Sequence, residues 1–225
     1  MKKIALVEMV SDYLASEMPE DMISQYHPEI IKKFIETAYN QAVYLTWLNG
    51  KKFSDFSQLD AWTRTYPLPV HSPTVAGTMV SGNLRLPYPP MQLPNNMGIR
   101  QVSMTANESV VFAFLDNTAV AIFNELDVMT IDPPPYFRLE QNNTGAGTET
   151  HILKVAKIPV TFYAPPALMY VDVKLIVPLD RVGDYDDIAI PAGQEDLLVK
   201  QTIELLRGKP PEDTANDMVA NRMGN

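Results

Sequence analysis

The sequence has 225 residues, a formal net charge of −9, 46% hydrophobic residues and no cysteine. This apolar content suffices for a packed core, and the absence of cysteine excludes disulfides and thiolate metal sites. We expect neither a signal peptide nor a membrane span, because Glu8 and Asp12 interrupt the first apolar run.

Charge is unevenly distributed along the chain. Residues 1–52 carry six lysines and seven acids, whereas ten acids and five basic residues occur from position 178 onward. Between positions 61 and 107 there is no acid, and the charged residues of that segment are Arg64, Arg85 and Arg100. Complementary patches fix the register of an assembly and steer association. We therefore expect this basic segment to contact the acidic end of another copy rather than DNA.

Residues 1–66 are predicted to be helical. A first helix follows from the apolar spacing between Ile4 and Met18. A second begins at Pro28 and is expected to end just before Gly50. Its predicted buried stripe is Ile31, Phe34, Ile35, Ala38, Ala42 and Leu45, and a second apolar side is formed by Tyr39, Val43 and Trp47. Trp47 is therefore a candidate subunit contact, although a hairpin packed on its own β domain explains the same pattern.

A short third helix is predicted within 54–64, with Phe56, Leu59 and Trp62 buried. The composition then changes, since seven prolines occur between positions 67 and 94. Proline rules out regular helix here and disfavours a central strand. Residues 67–100 are interpreted as a proline-rich arm. It either wraps over the β domain or crosses to a neighbouring subunit.

A β domain is predicted over 101–180. Its last run, 170–177, alternates apolar and polar residues with the period of a half-buried strand. Residues 109–114 and 119–123 flank a predicted hairpin turn, and the loop at 142–150 is predicted to be a hairpin tip. Six or seven short strands favour an antiparallel sandwich or a small barrel. Together with the helices, this predicts an α+β fold.

Residues 181–225 are predicted to form a helix with an extended tail. The helix has Leu198 and Leu205 on one stripe, and it ends at Arg207-Gly208. Both leucines are candidate subunit contacts, as are Asp213 and Asp217 in the polar tail at 212–225. Such a tail is either disordered or ordered by a partner. The acidic stretch at 184–187 lacks the ligand pattern of a calcium loop and is predicted to be a solvated loop.

No motif in the sequence indicates catalysis. The histidines His27, His71 and His151 are far apart and do not form a zinc-binding pair, and neither a nucleophile elbow nor a phosphate loop occurs. The carboxylates Asp116, Glu125 and Asp172 are candidates for a glycosidase pair, but any β domain contains as many. We expect no enzyme activity, no cofactor and no metal.

Both ends of the chain carry a family resemblance. The helix after His27-Pro28-Glu29 and the stretch from Pro191-Ala192-Gly193 to Pro210-Pro211-Glu212-Asp213 resemble the head-to-tail connector proteins of crAss-like tailed bacteriophages. The resemblance implies a structural protein of the virion neck or tail, assembled in the host cytoplasm. It also implies a cyclic homo-oligomer, taken here as a dodecamer, that binds the portal and other tail or ring proteins. The genome would pass through its channel without sequence-specific binding, and no membrane would be involved.

Two other classes remain open from the sequence. A different tail or capsid structural protein would have a similar composition. A carbohydrate- or receptor-binding β module would need exposed aromatic side chains, for which Tyr163, Tyr170 and Tyr185 are the candidates.

Overall fold

A computed structural model describes residues 1–17, 26–116, 119, 134–144, 148–163 and 168–208, with the side chains of 141–144 and 148–150 outside this description. These residues form helices together with antiparallel and mixed β-sheet, which confirms the predicted α+β class. The chain divides into two compact units. The helical unit contains Met1–Trp62 and the chain from Val182 onward, and the β unit is Thr63–Arg181.

This division differs from the four consecutive regions predicted from the sequence. The first and last regions contribute to one unit although the β unit separates them in the chain. The proline-rich region, 67–100, belongs to the β unit.

Four α-helices are described in the helical unit. They are α1 (Lys3–Glu17), α2 (Pro28–Phe53), α3 (Ser57–Asp60) and α4 (Glu195–Leu206). The helices α1, α2 and α4 pack against one another, and they bury large side chains such as Leu6, Leu14, Ile35, Leu198 and Ile203. Each such side chain contributes roughly 1.5–3 kcal/mol when fully buried. None of the described helices has the combination of length and apolarity that crossing a bilayer requires.

The helix α2 begins as predicted and ends later than predicted. His27 caps its start, where the Glu29 backbone N–H donates to Nδ1 at 3.3 Å. The helix runs through Gly50 to Phe53, and Ser54 ends it in the left-handed conformation with φ of 55°. The prediction that Gly50 ends the helix was wrong. A β-carbon at Gly50 would lie 2.6 Å from the Phe56 ring, so this glycine permits close packing rather than a turn.

The buried face of α2 combines the two predicted apolar sides. Ile31, Ile35, Ala38 and Ala42 are buried together with Tyr39, Val43 and Trp47. Leu45, predicted to be buried, is instead 43% exposed. The core face is therefore rotated about the helix axis toward Tyr39 and Val43.

Residues 182–189 return to the start of α1. The backbone N–H of Ile4 donates to the Asp184 carbonyl at 2.9 Å, and the N–H of Ile188 donates to the Met1 carbonyl at 2.7 Å. Carbonyl oxygens of this segment thus satisfy amides that the first turn of a helix leaves without intrahelical partners. Lys32 of α2 also reaches the segment through Asp184, with 2.6 Å between Nζ and Oδ2. This hydrogen bond, with a second that Lys32 donates to Glu29, raises the pKa of Lys32.

The β unit contains nine described strands in two sheets. They are β1 (Arg64–Pro69), β2 (His71–Ala76), β3 (Met79–Arg85), β4 (Ile99–Met104), β5 (Asn107–Val111), β6 (Ala113–Phe114), β7 (Tyr136–Thr144), β8 (Thr148–Pro159) and β9 (Tyr170–Leu175). The first sheet has the order β1-β9-β4-β5 and the second has the order β2-β3-β8-β7-β6. The β6–β7 pair is parallel, and the other described pairs are antiparallel.

The strand predicted at 170–177 is the interior strand β9. It buries Val171, Val173 and Leu175, and Val173 is opposite Tyr66 of β1 and Val102 of β4. The alternation in the sequence therefore gave the correct buried face.

The proline-rich region is not an arm without regular structure, since β1, β2 and β3 occupy most of 64–85. The reason lies in where the prolines fall. Pro67 and Pro69 are on β1 and Pro73 is on β2, and each of these strands is at an edge of its sheet. An edge strand tolerates a residue that cannot donate to the ladder. The strand β3, which contains no proline, is interior.

The first run of the predicted hairpin, 109–114, is divided between the two sheets. The strands β5 and β6 belong to different sheets, and the residue between them, Phe112, is 3% exposed. Its partner run at 119–123 lies outside the described residues except for Ala119. The predicted hairpin over 142–150 is confirmed by the β7–β8 pairing, which extends to Thr144 opposite Thr148.

Candidate functional site

One face of the second sheet gathers basic side chains from three strands. Lys154 of β8 is opposite Asn83 of β3 and Arg138 of β7, and in the next row Ile152 is opposite Arg85 and Glu140. Directly opposed residues project to the same face, and successive residues alternate between faces. The rows between them contain core residues such as Leu84 and Leu153, both fully buried. The sheet therefore places Arg85, Arg138 and Lys154 on the face that points away from this core.

A single carboxylate connects two of these cations. Glu140 accepts from Arg138 Nη2 through Oε1 at 2.9 Å and from Lys154 Nζ through Oε2 at 2.9 Å. The three side chains are 26–41% exposed, so each ion pair contributes at most about 1 kcal/mol to stability. Among the side chains described on this face, these three cations and one carboxylate sum to a charge of +2. The main effect of the ion pairs is to fix side-chain positions, because Glu140 holds Arg138 and Lys154 beside each other.

A groove of about 340 Å³ lies on this face. Its lining includes Arg138 and Lys154 and the polar residues Ser72, Thr74, Ser81 and Asn83. No carboxylate is among its lining residues. We call this feature, together with the neighbouring Arg85 and Glu140, the basic groove.

Irregular pairing shapes the groove. The β3–β8 register shifts between Val80 and Gly82, and Lys157 on β8 has a φ of 59°. Bulges of this kind bend a strand and increase its twist. A β-carbon at Gly82 would lie 2.4 Å from Val70, so this glycine lets the chain entering β2 approach β3 closely.

The groove is chemically suited to binding an anion. Guanidinium and ammonium groups only donate hydrogen bonds, whereas hydroxyl and amide groups can also donate. Charge-assisted hydrogen bonds to a carboxylate or phosphate are roughly twice as strong as neutral ones. Among the residues described, no three His, Asp or Glu side chains are grouped as metal ligands would be. The groove therefore offers positive charge and hydrogen-bond donors to an anionic ligand.

The three arginines predicted as subunit contacts lie on two different sheets. Arg85 belongs to the basic groove. Arg64 begins β1 of the first sheet, with its guanidinium 5.6 Å from the centre of the Tyr66 ring. Arg100 is half-buried on β4 and donates from Nη1 to the Met97 sulfur at 3.6 Å. The basic segment of the sequence is thus not a single patch.

The predicted contacts in the helical unit contribute to its own packing. Trp47 is 7% exposed and stacks on Tyr44 at 5.6 Å between ring centres. Leu198 is 1% exposed, and Leu205 is half-buried. Little of Trp47 or Leu198 is accessible to a neighbouring subunit. Asp213 and Asp217 lie outside the described residues.

A second candidate surface is an exposed apolar stripe on α2, formed by Tyr44, Leu45 and Leu48, and Phe53 is exposed at the end of the same helix. These side chains are 46%, 43%, 38% and 71% exposed. The spacing of 44, 45 and 48 places the first three on one helix face. Exposed apolar patches are typical of protein interaction sites. We call this surface the α2 stripe.

The residues suggested for carbohydrate binding and for a glycosidase pair belong to different parts of the chain. Tyr163 and Tyr170 belong to the β unit, whereas Tyr185 belongs to the helical unit. Asp116 accepts from the Ala119 backbone N–H at 2.6 Å, and Asp172 accepts from the Thr105 hydroxyl at 2.8 Å. Glu125 lies outside the described residues.

Each histidine likewise has its own setting in the fold. His27 caps α2, His71 begins the exposed strand β2, and His151 is buried on β8.

The sequence analysis missed Arg138 and Lys154. A signal was present, because Arg138 lies between the apolar residues Phe137 and Leu139, and Lys154 lies between Leu153 and Val155. This alternation predicts that both side chains point away from the core. The pairing that places them beside β3 is not visible in the spacing.

No protein-family model, no curated protein and no solved structure matches this chain.

Proposed function

We propose that this chain is a structural subunit of a ring located between the portal and the tail of a bacteriophage particle, where it lines the channel for the genome. The α2 stripe is the observation that carries the proposal. It exposes three large side chains on one face of α2, and a contact with another protein would remove them from water. At about 25 cal/mol per Å² of apolar area, such burial favours association.

A ring also needs two unlike surfaces on each subunit. In a cyclic head-to-tail assembly, each copy presents one surface to the copy before it and a different surface to the copy after it. The α2 stripe is apolar and the basic groove is charged, so the chain presents two unlike surfaces, as a subunit of a head-to-tail ring does.

The charge of the chain is suited to a DNA channel. Each copy carries a net charge of −9, and a ring of many copies would create a negative lumen. Such a lumen repels DNA phosphates, so the genome can move without being held. The portal and other ring or tail proteins are the proposed partners, in the virion neck or tail after assembly in the host cytoplasm.

The alternative virion roles differ in position rather than chemistry. Another tail or capsid structural protein would use the same surfaces, and localisation in assembled particles would separate it from a connector. A carbohydrate-binding module has weaker support, because its three candidate tyrosines are divided between the two units.

The first test is the mass of the full chain in solution, alone and mixed with the portal protein of the same particle. We expect a closed multimer in at least one sample. We expect the variant Leu45→Glu to prevent its formation, because a carboxylate in an apolar contact loses its hydration. Its midpoint of unfolding should change little, since Leu45 is 43% exposed.

Leu197→Glu is the matched control, because this leucine of α4 is 45% exposed. It should assemble as the unmodified chain does. A strict monomer, both alone and with the portal protein, would refute the ring. Equal loss of assembly in Leu45→Glu and Leu197→Glu would show that assembly does not depend specifically on the α2 stripe.

A further inference from the structure

We propose that the basic groove binds the acidic segment 209–225 of a neighbouring copy of this chain. The inference rests on the proposed function, since it requires copies in contact. It identifies what binds in the basic groove of the β unit. One residue of this groove, Arg85, belongs to the basic segment that the sequence predicted to contact another copy.

Charge complementarity is the first support. The groove and its margin hold Arg85, Arg138 and Lys154 against the single carboxylate of Glu140. The segment carries three acids, Glu212, Asp213 and Asp217, and its two basic residues, Lys209 and Arg222, lie outside the acidic stretch 212–217. A peptide of this composition offers the carboxylates that guanidinium and ammonium donors bind best.

The spacing of the charges is the second support. The three cations lie on the neighbouring strands β3, β8 and β7, so they extend over roughly 10 Å at about 4.8 Å between strands. Carboxylates four positions apart, as in Asp213 and Asp217, are separated by up to roughly 14 Å in an extended chain. One segment can therefore present two carboxylates to the groove at once.

Reach is the third support. The described part of α4 ends at Leu206, and Gly208 has a φ of 71° that is typical of a residue just after a helix. The following 17 residues, 209 to 225, can extend to at most roughly 60 Å. This length is sufficient to cross from one subunit to the next. In a ring, each copy would then donate its segment and accept another.

A binding experiment tests the contact itself. A fluorescent peptide with the sequence of 209–225 is titrated into the full chain carrying Asp213→Lys and Asp217→Lys, whose own segment does not compete. We expect saturable binding that weakens with salt. Adding Arg85→Gln and Lys154→Gln should weaken it at least roughly tenfold. The control Arg64→Gln removes an exposed arginine from the other sheet and should leave the affinity unchanged.

Two results of this titration would overturn the inference. One is an affinity that is the same with and without the groove substitutions, in variants whose circular dichroism shows an intact fold. The other is binding of a duplex oligonucleotide, but not of the peptide, with loss on substitution of the groove. That result would assign the groove to nucleic acid.

A mixing experiment tests whether the contact joins two copies. One variant carries the groove reversal Arg85→Glu and Lys154→Glu, and the other carries the segment reversal Asp213→Lys and Asp217→Lys. Each variant alone should fail to form the multimer that the unmodified chain forms. An equal mixture should assemble, because each reversed groove then meets a reversed segment. Failure of the mixture would overturn a contact between copies.

The two proposals can fail separately. A multimer of the unmodified chain without peptide binding would refute the groove contact and leave the ring. Peptide binding at the groove without any closed multimer, with or without the portal, would refute the ring and leave the groove as a binding site for the segment.

Discussion

Lys3 places an ammonium group in the core of the helical unit. Its side chain is 5% exposed, and Nζ donates to Glu36 Oε1 at 2.7 Å and to the Val182 carbonyl at 3.2 Å. Glu36 is 23% exposed and so remains in contact with water. The two partners therefore depend on the ion pair to different degrees.

This asymmetry predicts unequal effects of removing each partner. Glu36→Ala leaves a buried ammonium without its carboxylate and should cost about 3 kcal/mol of unfolding free energy. Lys3→Met keeps the aliphatic packing and leaves a carboxylate that water can reach, so it should cost less. Urea unfolding of both variants measures the difference. Equal costs would show that the burial of the ammonium does not determine the effect.

Asp55 provides a titratable contact just after α2. Its Oδ1 accepts from the backbone N–H of Ser57 at 2.9 Å, and this hydrogen bond, with another from the Ser57 side chain, lowers the pKa of Asp55. A lowered folded-state pKa stabilises the fold above the unfolded value of about 3.9. That contribution is lost as the pH falls through the folded value.

We therefore predict that Asp55→Ala is less stable than the unmodified chain at pH 7, and that the difference narrows below about pH 4. Urea midpoints over pH 3–7, within the range where both proteins fold, provide the measurement. Asp55→Asn keeps the acceptor but does not titrate, so it should remove this site's pH dependence. A stability difference between Asp55→Ala and the unmodified chain that stays constant with pH would contradict a lowered pKa of Asp55.

At the scale of elements, the long helix α2 shows how a tertiary contact overrides a local signal. A glycine followed by two lysines is typical of a helix end, yet α2 continues to Phe53. The chain that follows folds back so that the Asp55 carbonyl would lie 2.8 Å from a β-carbon at Gly50. Only the missing side chain permits this approach.

Gly50→Ala should therefore destabilise the protein, although alanine favours helix by about 1 kcal/mol. We expect a net cost of up to roughly 2 kcal/mol, because overpacking typically costs about 1–3 kcal/mol and the helix preference offsets about 1 kcal/mol of it. Asn49→Ala, at the exposed neighbouring position, should be neutral or slightly stabilising. Thermal unfolding of both variants tests this, and a stabilised Gly50→Ala would show that Phe56 moves aside without cost.

Helices and strands could be predicted where a local sequence pattern determines them. The alternation around Val173 identified β9 and its buried face, and the proline at position 28 identified the start of α2. The strands β1 to β3 were not predicted, because the tolerance of a proline depends on whether its strand is at an edge. Whether a strand lies at an edge depends on the whole sheet, and the residues around the proline do not determine it.

At the scale of the whole molecule, the site was less predictable than the fold class. Arg85 was found from its position in a segment without acids. Its neighbours Arg138 and Lys154 come from strands more than fifty positions later in the chain. The helical unit likewise joins the two ends of the described chain, a relation that hydrophobic spacing does not reveal.

The discontinuity of the helical unit also sets an order for folding during synthesis. Chains emerge from the ribosome N-terminus first, and domains generally fold as units. The β unit is one continuous stretch, Thr63–Arg181, so all of its residues are available before α4 has been made. The amides of Lys3 and Ile4 at the start of α1 receive their acceptors, the carbonyls of Asp186 and Asp184, only after that point. A chain truncated after Arg181 would therefore contain the complete β unit while the helical unit lacks its last helix.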